Sequence, residues 1–240
     1  MLSSDSTRRN GLGAAGFSPA GTPPSHARYR VPGVAKGELS MAQEQTADAQ
    51  CVGLTPLRPE DFRTPAIRLS GPVDYAMYQS FQQQLPSAPA QGLVAIALTT
   101  LGGDPEVARL MGEDVRFLSE LEPGRRFVFL GKAAIYSAGT TFMSFFARCN
   151  RYLTRGTRLM IHERRMIKTL NIDGPLTTCV ADLKGVLNEI EGSIRIQNEG
   201  FENLVRGSDV SMQELLSKAP SNWYLEAQEA KARSLVEDVL

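Results

Sequence analysis

Three pieces of this 240-residue chain carry groups whose types and spacing can do chemistry. The first is Ser137, set in the run Gly131-Lys132-Ala133-Ala134-Ile135-Tyr136-Ser137-Ala138-Gly139. Small residues crowd around it, and an apolar stretch with helical character follows. A hydroxyl at such a strand-to-helix elbow is open to substrate, and the amide of the next residue, Ala138, is available to an oxyanion. The chemistry this allows is nucleophilic attack on a carbonyl carbon. The same serine equally meets the rules for an ordinary helix N-cap. The second piece is His162, 25 residues further on, which closes the apolar run Leu159-Met160-Ile161. Strand ends line the working crevice of an open α/β sheet, so one helix and one strand can return an imidazole to the serine. A lone histidine there is also explained as a satisfied structural residue. The third piece is Gly102-Gly103, at the end of a buried strand and the start of a helix. Backbone amides there are unobstructed by side chains and lie in the positive field of a helix N-terminus. Most such turns are only turns.

The elements that must hold these groups read as an alternation. Ala66 to Leu69 is a short strand closed by Gly71-Pro72, and Tyr75 to Leu85 has a helical period with Tyr78, Phe81 and Leu85 on one face. Leu93 to Leu98 is a continuous apolar run, as expected of a strand buried on both faces. A helix from Pro105 to Leu121 stops at Pro123-Gly124. Then come a strand over Phe127 to Leu130 with a turn at Gly131, an apolar helix from Ser137 to Arg148, and a strand over Arg158 to His162. This order predicts an α/β domain with a largely parallel sheet. From Thr177 to Arg206 the positions Val180, Leu183, Leu187, Ile190, Ile194, Phe201 and Leu204 recur in steps of three and four, with polar Gln197 where one more is due. Such a seam fits either a core helix broken near Gly192 or Gly200, or a projecting helix that packs on a neighbouring subunit.

Composition narrows the function. Twenty-six basic and twenty-six acidic residues leave no net charge, which argues against a nucleic-acid or anionic-membrane partner. No apolar run reaches the length of a membrane helix. Cys51, Cys149 and Cys179 are odd in number and far apart, a spacing that fits reduced thiols in a cytosolic protein better than a disulfide framework or a zinc site. Two histidines exclude a histidine-rich metal site. Residues 1–50 are rich in Gly, Ser, Pro and Ala, show no period, and read as a disordered or artefactual tail ahead of a domain over 51–240. Its Arg and Ser content weakly resembles an organelle transit peptide, the alternative to a cytoplasmic location. His26 lies within it.

Taken in order, Gly102-Gly103 after a buried strand, Ser137 in its small-residue elbow and Met160-Ile161-His162 resemble the proteolytic subunit of the Clp protease. The serine-to-histidine separation matches that family, and the similarity runs from about Ile67 to the C-terminus. The long helix falls where the family has its inter-ring handle, and Trp223 to Ala230 with Leu235-Val236-Glu237 is similar to its terminal signature. The resemblance implies the Clp-type (crotonase-like) α/β fold of repeated β-β-α units. It implies Ser137 as nucleophile, His162 as general base, and the amides of Gly103 and Ala138 as oxyanion hole. The family's third member is an aspartate, and the matching position here is Asn222, which orients an imidazole without supplying charge; low or conditional activity is the expectation. Three further departures are Thr100-Leu101 where the family has Ser-Pro, Glu163-Arg164-Arg165 where it has Gln-Pro after its histidine, and two extra residues, Ile135 and Tyr136, before the serine.

The activity implied is a serine endopeptidase that hydrolyses unfolded polypeptides or peptides through an acyl-enzyme inside a homo-oligomeric ring. The resemblance implies a ring-shaped AAA+ unfoldase as partner, and since no GxxxxGK[ST] motif occurs in the chain, any ATP dependence must come from that partner. No metal or organic cofactor is implied. Two rival readings share the fold: a non-catalytic structural subunit of a mixed ring, kept open by Asn222, and an acyl-coenzyme A enzyme of the crotonase class.

Overall fold

The computed structural model describes Cys51 and residues 54–240, so the expectation for the tail over 1–50, with His26, lies outside the described residues. The elements in chain order are β1 (Ile67–Ser70), α1 (Tyr75–Gln84), β2 (Gly92–Thr100), α2 (Pro105–Leu121), β3 (Arg125–Tyr136), α3 (Ala138–Met143), β4 (Arg151–Leu153), β5 (Arg158–Ile161), α4 (Leu176–Val205), α5 (Met212–Lys218), β6 (Trp223–Glu226), α6 (Ala227–Ala232) and β7 (Asp238–Val239). Strands β1-β2-β3-β4-β7 lie side by side in that order, all parallel, and β5 pairs with the end of β3 and with antiparallel β6. The fold is the mixed α/β arrangement expected.

Alternation along β2 and β3 explains why they read as unbroken apolar runs. Val94, Ile96, Leu98, Phe127 and Phe129 face the larger core under the helices. Ala95, Ala97, Val128 and Leu130 face a second core, which Phe62 and Tyr152 complete. Leu57 and Phe62, a few residues beyond Cys51, pack on that second face, and this placement explains the one cysteine expectation that fails. Cys51 and Cys149 form a disulfide across a sequence separation of 98, with their Cα atoms 5.7 Å apart. The segment folds back beside the turn at Arg148–Asn150, and distance along the chain says nothing about distance in space. Cys179 is free.

The sequence reading ended the third strand at Leu130 with a turn at Gly131. Instead β3 continues to Tyr136 through a bulge. Leu98 of β2 stands opposite Gly131 but Thr100 stands opposite Ile135, so β3 carries two more residues than its partner there. Ala133 sits in the bulge with φ 59°, and the Thr99 hydroxyl donates to the Lys132 carbonyl at 2.6 Å. Before the bulge β3 pairs with β4; after it, Ala134 to Tyr136 pair with Arg158 to Met160 of β5. The added twist of a bulge is what allows one strand to serve two partners in turn. It delivers Ser137 to the edge where β5 ends.

Helix α3 is also shorter than the apolar run suggested, ending at Met143 rather than Arg148. Arg151 accounts for the stop. It is buried, and its guanidinium donates to the carbonyls of Ser144, Phe146, Asn203, Leu204 and Leu235 at 2.7 to 3.3 Å. Four of these carbonyls lie at or just beyond the ends of α3 and α4, and the fifth, Leu235, follows α6; the helix-end carbonyls would otherwise lack partners. Burial, with Arg206 and Arg148 nearby, pushes the Arg151 pKa down to about 9, and no carboxylate pairs with it among the described residues. Arg151→Met strands five carbonyls at once, and at about 1 kcal/mol or more for each unsatisfied group we expect a loss of about 5 kcal/mol. Thermal unfolding checks this: Tm falls by about 10 °C for a domain of this size, and an unchanged Tm contradicts the clamp.

Helix α4 runs unbroken through Gly192 and Gly200, a length of about 45 Å at 1.5 Å per residue. Only Phe201 and Leu204 at its C-terminal end are buried in the domain. Among the described residues, no helix is long and apolar enough to cross a membrane.

Candidate active site

The elbow between β3 and α3 forces Ser137 into φ 54°, ψ −113°, a region that costs an L-residue about 1–3 kcal/mol and persists only where the surroundings impose it. The surroundings are visible. The Ser137 N–H donates to the Met160 carbonyl at 2.8 Å, continuing the β3–β5 ladder, while its own carbonyl accepts from Thr140 and Thr141 at 2.9 and 3.1 Å to start α3. The side chain does not cap that helix. Its Oγ lies 2.6 Å from Nε2 of His162. The helix-cap explanation of this serine therefore falls away.

His162 follows the last residue of β5 and is half-buried. Burial first, and the Arg165 charge second, hold its pKa below the usual imidazole value of 6.5. The neutral ring is thus the form present at pH 7. With the proton on Nδ1, Nε2 accepts from the serine hydroxyl, the geometry a general base needs. A depressed pKa keeps the base form populated further into acid. We therefore expect the rate of any Ser137-dependent reaction, measured as kcat/KM against pH, to reach half its plateau below about pH 6.5. An inflection above that value contradicts the burial effect.

The third group is placed differently. Ile161 of β5 pairs with Trp223 of β6, so the next antiparallel position sets His162 opposite Asn222. Asn222 is exposed, in the left-handed region with φ 58°, and its side chain makes no hydrogen bond among the described residues. The structure brings Ser137 and His162 within hydrogen-bond distance, and Asn222 makes no hydrogen bond to the imidazole among the described residues. Nδ1 of His162 has no hydrogen-bond partner among the described residues.

Across from the pair, Gly102 and Gly103 turn the chain between β2 and α2 with φ of 113° and 153°. Val73 donates to the Gly102 carbonyl at 3.0 Å and accepts from the Asp104 N–H at 2.8 Å. This bracket leaves the Gly103 N–H pointing away from Val73 with no acceptor among the described residues. A Cβ on Gly103 would lie 2.6 Å from the Val73 nitrogen, and one on Gly102 would lie 3.0 Å from the Ser137 Cβ. The loop is glycine because it passes between two backbones. The Ala138 N–H, first in α3, likewise has no acceptor among the described residues, as expected of the first amide of a helix. Gly103, Ser137, Ala138 and His162 line a cavity of about 180 Å³ whose apolar wall is Phe145, Phe201 and Leu204.

Sequence reasoning missed Thr100, which it noted only as a departure from the family. Thr100 is buried, and its Oγ1 accepts from the Gly102 N–H at 3.0 Å, fixing the loop that presents Gly103. The available signal was a hydroxyl at the end of an apolar strand just before Gly-Gly. Charges missed on the same ground are Glu106 and Arg164, whose side chains meet at 2.6 Å beside the cavity.

No family model matches the chain, and no curated protein matches it in sequence. Among solved structures, it is similar to a mutant of ClpP1 from Listeria monocytogenes, with a TM-score of 0.56 and 17% identity over 72% of this chain and 90% of that one. Likeness at that identity speaks to the backbone: the chain has a ClpP-like, Clp-type protease fold.

Proposed function

We propose that this chain is a serine peptidase that cleaves unfolded polypeptides or short peptides through an acyl-enzyme. The observation that carries the reading is the 2.6 Å hydrogen bond between Ser137 Oγ and His162 Nε2, on one cavity with two amides that have no acceptor among the described residues. In the reaction, Oγ attacks the scissile carbonyl carbon as its proton passes to Nε2. The oxyanion takes hydrogen bonds from the Gly103 and Ala138 amides, where they act without reorganisation. The imidazolium then protonates the leaving amine, and a water, deprotonated by the same imidazole, releases the acyl group.

Asn222 is the orienting member, turning its side-chain oxygen onto the Nδ1 proton when substrate or a neighbouring subunit orders that edge. An amide there does not offset the imidazolium charge, so turnover is low by the standards of aspartate triads, where the aspartate-to-asparagine change costs about 10⁴ in kcat. The test is pre-steady-state hydrolysis of an activated peptide ester. A burst of one leaving group per chain supports the acyl-enzyme; linear release with no covalent adduct removes it. The rival reading of a structural subunit in a mixed ring is favoured by Asn222, whose side chain makes no hydrogen bond to the imidazole among the described residues, and linear release is its expected outcome.

The assembly we propose is a homo-oligomeric ring served by an AAA+ unfoldase. Support comes from α4, where Val180, Leu183, Leu187, Ile190 and Ile194 lie 39 to 50% exposed along one seam. An apolar stripe of this kind marks a protein interface. Light scattering is expected to give a mass several times 26.2 kDa, reduced when Leu187→Glu and Ile194→Glu are combined; a stable monomer contradicts it. The Cys51–Cys149 bond favours an oxidising compartment over the cytoplasm.

A further inference from the structure

The apolar seam of α4 has one polar interruption, Gln197, with Ile194 before it and Phe201 after it. A glutamine costs packing at a position built for an aliphatic side chain, so its partner decides whether it has a use. Its Oε1 accepts from the Arg164 N–H at 2.7 Å. Arg164 stands two residues beyond His162, where the chain has left β5 and no ladder holds it. Of the backbone groups of residues 164–173, the Arg164 N–H alone is hydrogen-bonded among the described residues. Gln197 is therefore the one fastener of the main chain leaving His162.

Arg164 also reaches the opposite wall. Its Nη1 donates to Glu106 Oε1 at 2.6 Å, and Glu106 Oε2 accepts from Arg109 at 2.9 Å. Glu106 belongs to the first turn of α2, directly after Gly103 and the cap Asp104. One chain of contacts thus joins the loop that presents Gly103, the segment that follows His162, and the helix that leaves the domain.

We propose that Gln197 and Arg164 are positioning residues that hold the His162 imidazole over Ser137. This rests on the reading of His162 as general base. Neither residue touches substrate. Both act by fixing the direction in which the chain leaves β5, and with it the ring.

The test compares Gln197→Met, which keeps the side-chain length and loses the acceptor, with Gln197→Glu, which keeps an acceptor. The readouts are the rate of Ser137 modification by a fluorophosphonate, kcat and KM for a peptide, and hydrogen exchange at the Arg164 amide. The result expected for Gln197→Met is about a tenfold loss in modification rate and in kcat, KM within about twofold, and fast exchange at Arg164, with mass by light scattering unchanged. Gln197→Glu is expected to restore all three. Wild-type rates in Gln197→Met overturn the proposal, as do equal losses in both variants, which mark a packing role. Exchange at Arg164 separates the two layers of the argument. A protected amide lost only in Gln197→Met, in a wild-type protein that no fluorophosphonate modifies, defeats the peptidase reading and the positioning role while leaving the contact itself in place.

Discussion

Ser137→Ala is expected to lower peptide turnover by about three orders of magnitude or more, and His162→Ala to match it. The two groups act as one unit: without the imidazole the hydroxyl keeps its proton, and without the hydroxyl the imidazole has nothing to deprotonate. The double variant should therefore be no slower than either single one, whereas independent contributions would multiply. Residual activity above the uncatalysed rate is expected in all three, because the Gly103 and Ala138 amides and the apolar cavity wall remain. Steady-state kinetics on the purified variants decides this. A double variant far slower than both single ones contradicts the coupling that the 2.6 Å hydrogen bond implies.

Gly103→Ala is expected to cost about 10² to 10³ in kcat, the range for loss of one oxyanion donor. At φ 153° the new Cβ meets the Val73 backbone, 2.6 Å from its nitrogen. Neither side yields easily, since Val73 brackets the loop through its bonds to Gly102 and Asp104. The loop must move, and the Gly103 N–H moves with it. Gly156→Ala is the control, because that glycine is exposed and a Cβ there meets nothing within 4 Å. The loss should lie in kcat with the far-ultraviolet dichroism unchanged. Equal kinetics for the two variants removes Gly103 from the oxyanion role.

Much of the fold was legible because single strands and helices announce themselves. The alternation from β1 to α2 and the length of α4 followed from apolar spacing and from the stops at Gly71-Pro72 and Pro123-Gly124. What escaped depends on contacts between distant segments. The extension of β3 past Gly131 needs Thr99 and β5 to hold the bulge, and neither is adjacent in sequence. The early end of α3 depends on Arg151, a residue that reads as surface and proves to be fully enclosed by carbonyls of three segments. The Cys51–Cys149 bond goes with the packing of Leu57 and Phe62 on the second face of the sheet, far from them in sequence.

The candidate site divides in the same way. The elbow at Ser137 and the strand end at His162 were readable from small residues and an apolar run, because each is a local feature. The distance between them is set by the bulge, which the sequence showed only as two surplus residues. Asn222 was reached by resemblance alone, and the β5–β6 register sets it opposite His162 without joining them. Thr100 and Gln197 looked like departures from a pattern until their partners, the Gly102 and Arg164 amides, were visible.

The most direct measurement is covalent modification of the assembled wild-type protein by a fluorophosphonate, with the site read by mass spectrometry. The account predicts one adduct per chain, on Ser137, absent from His162→Ala and Ser137→Ala. An assembled wild-type protein that carries no adduct on Ser137, at a pH where its histidine is neutral, contradicts it.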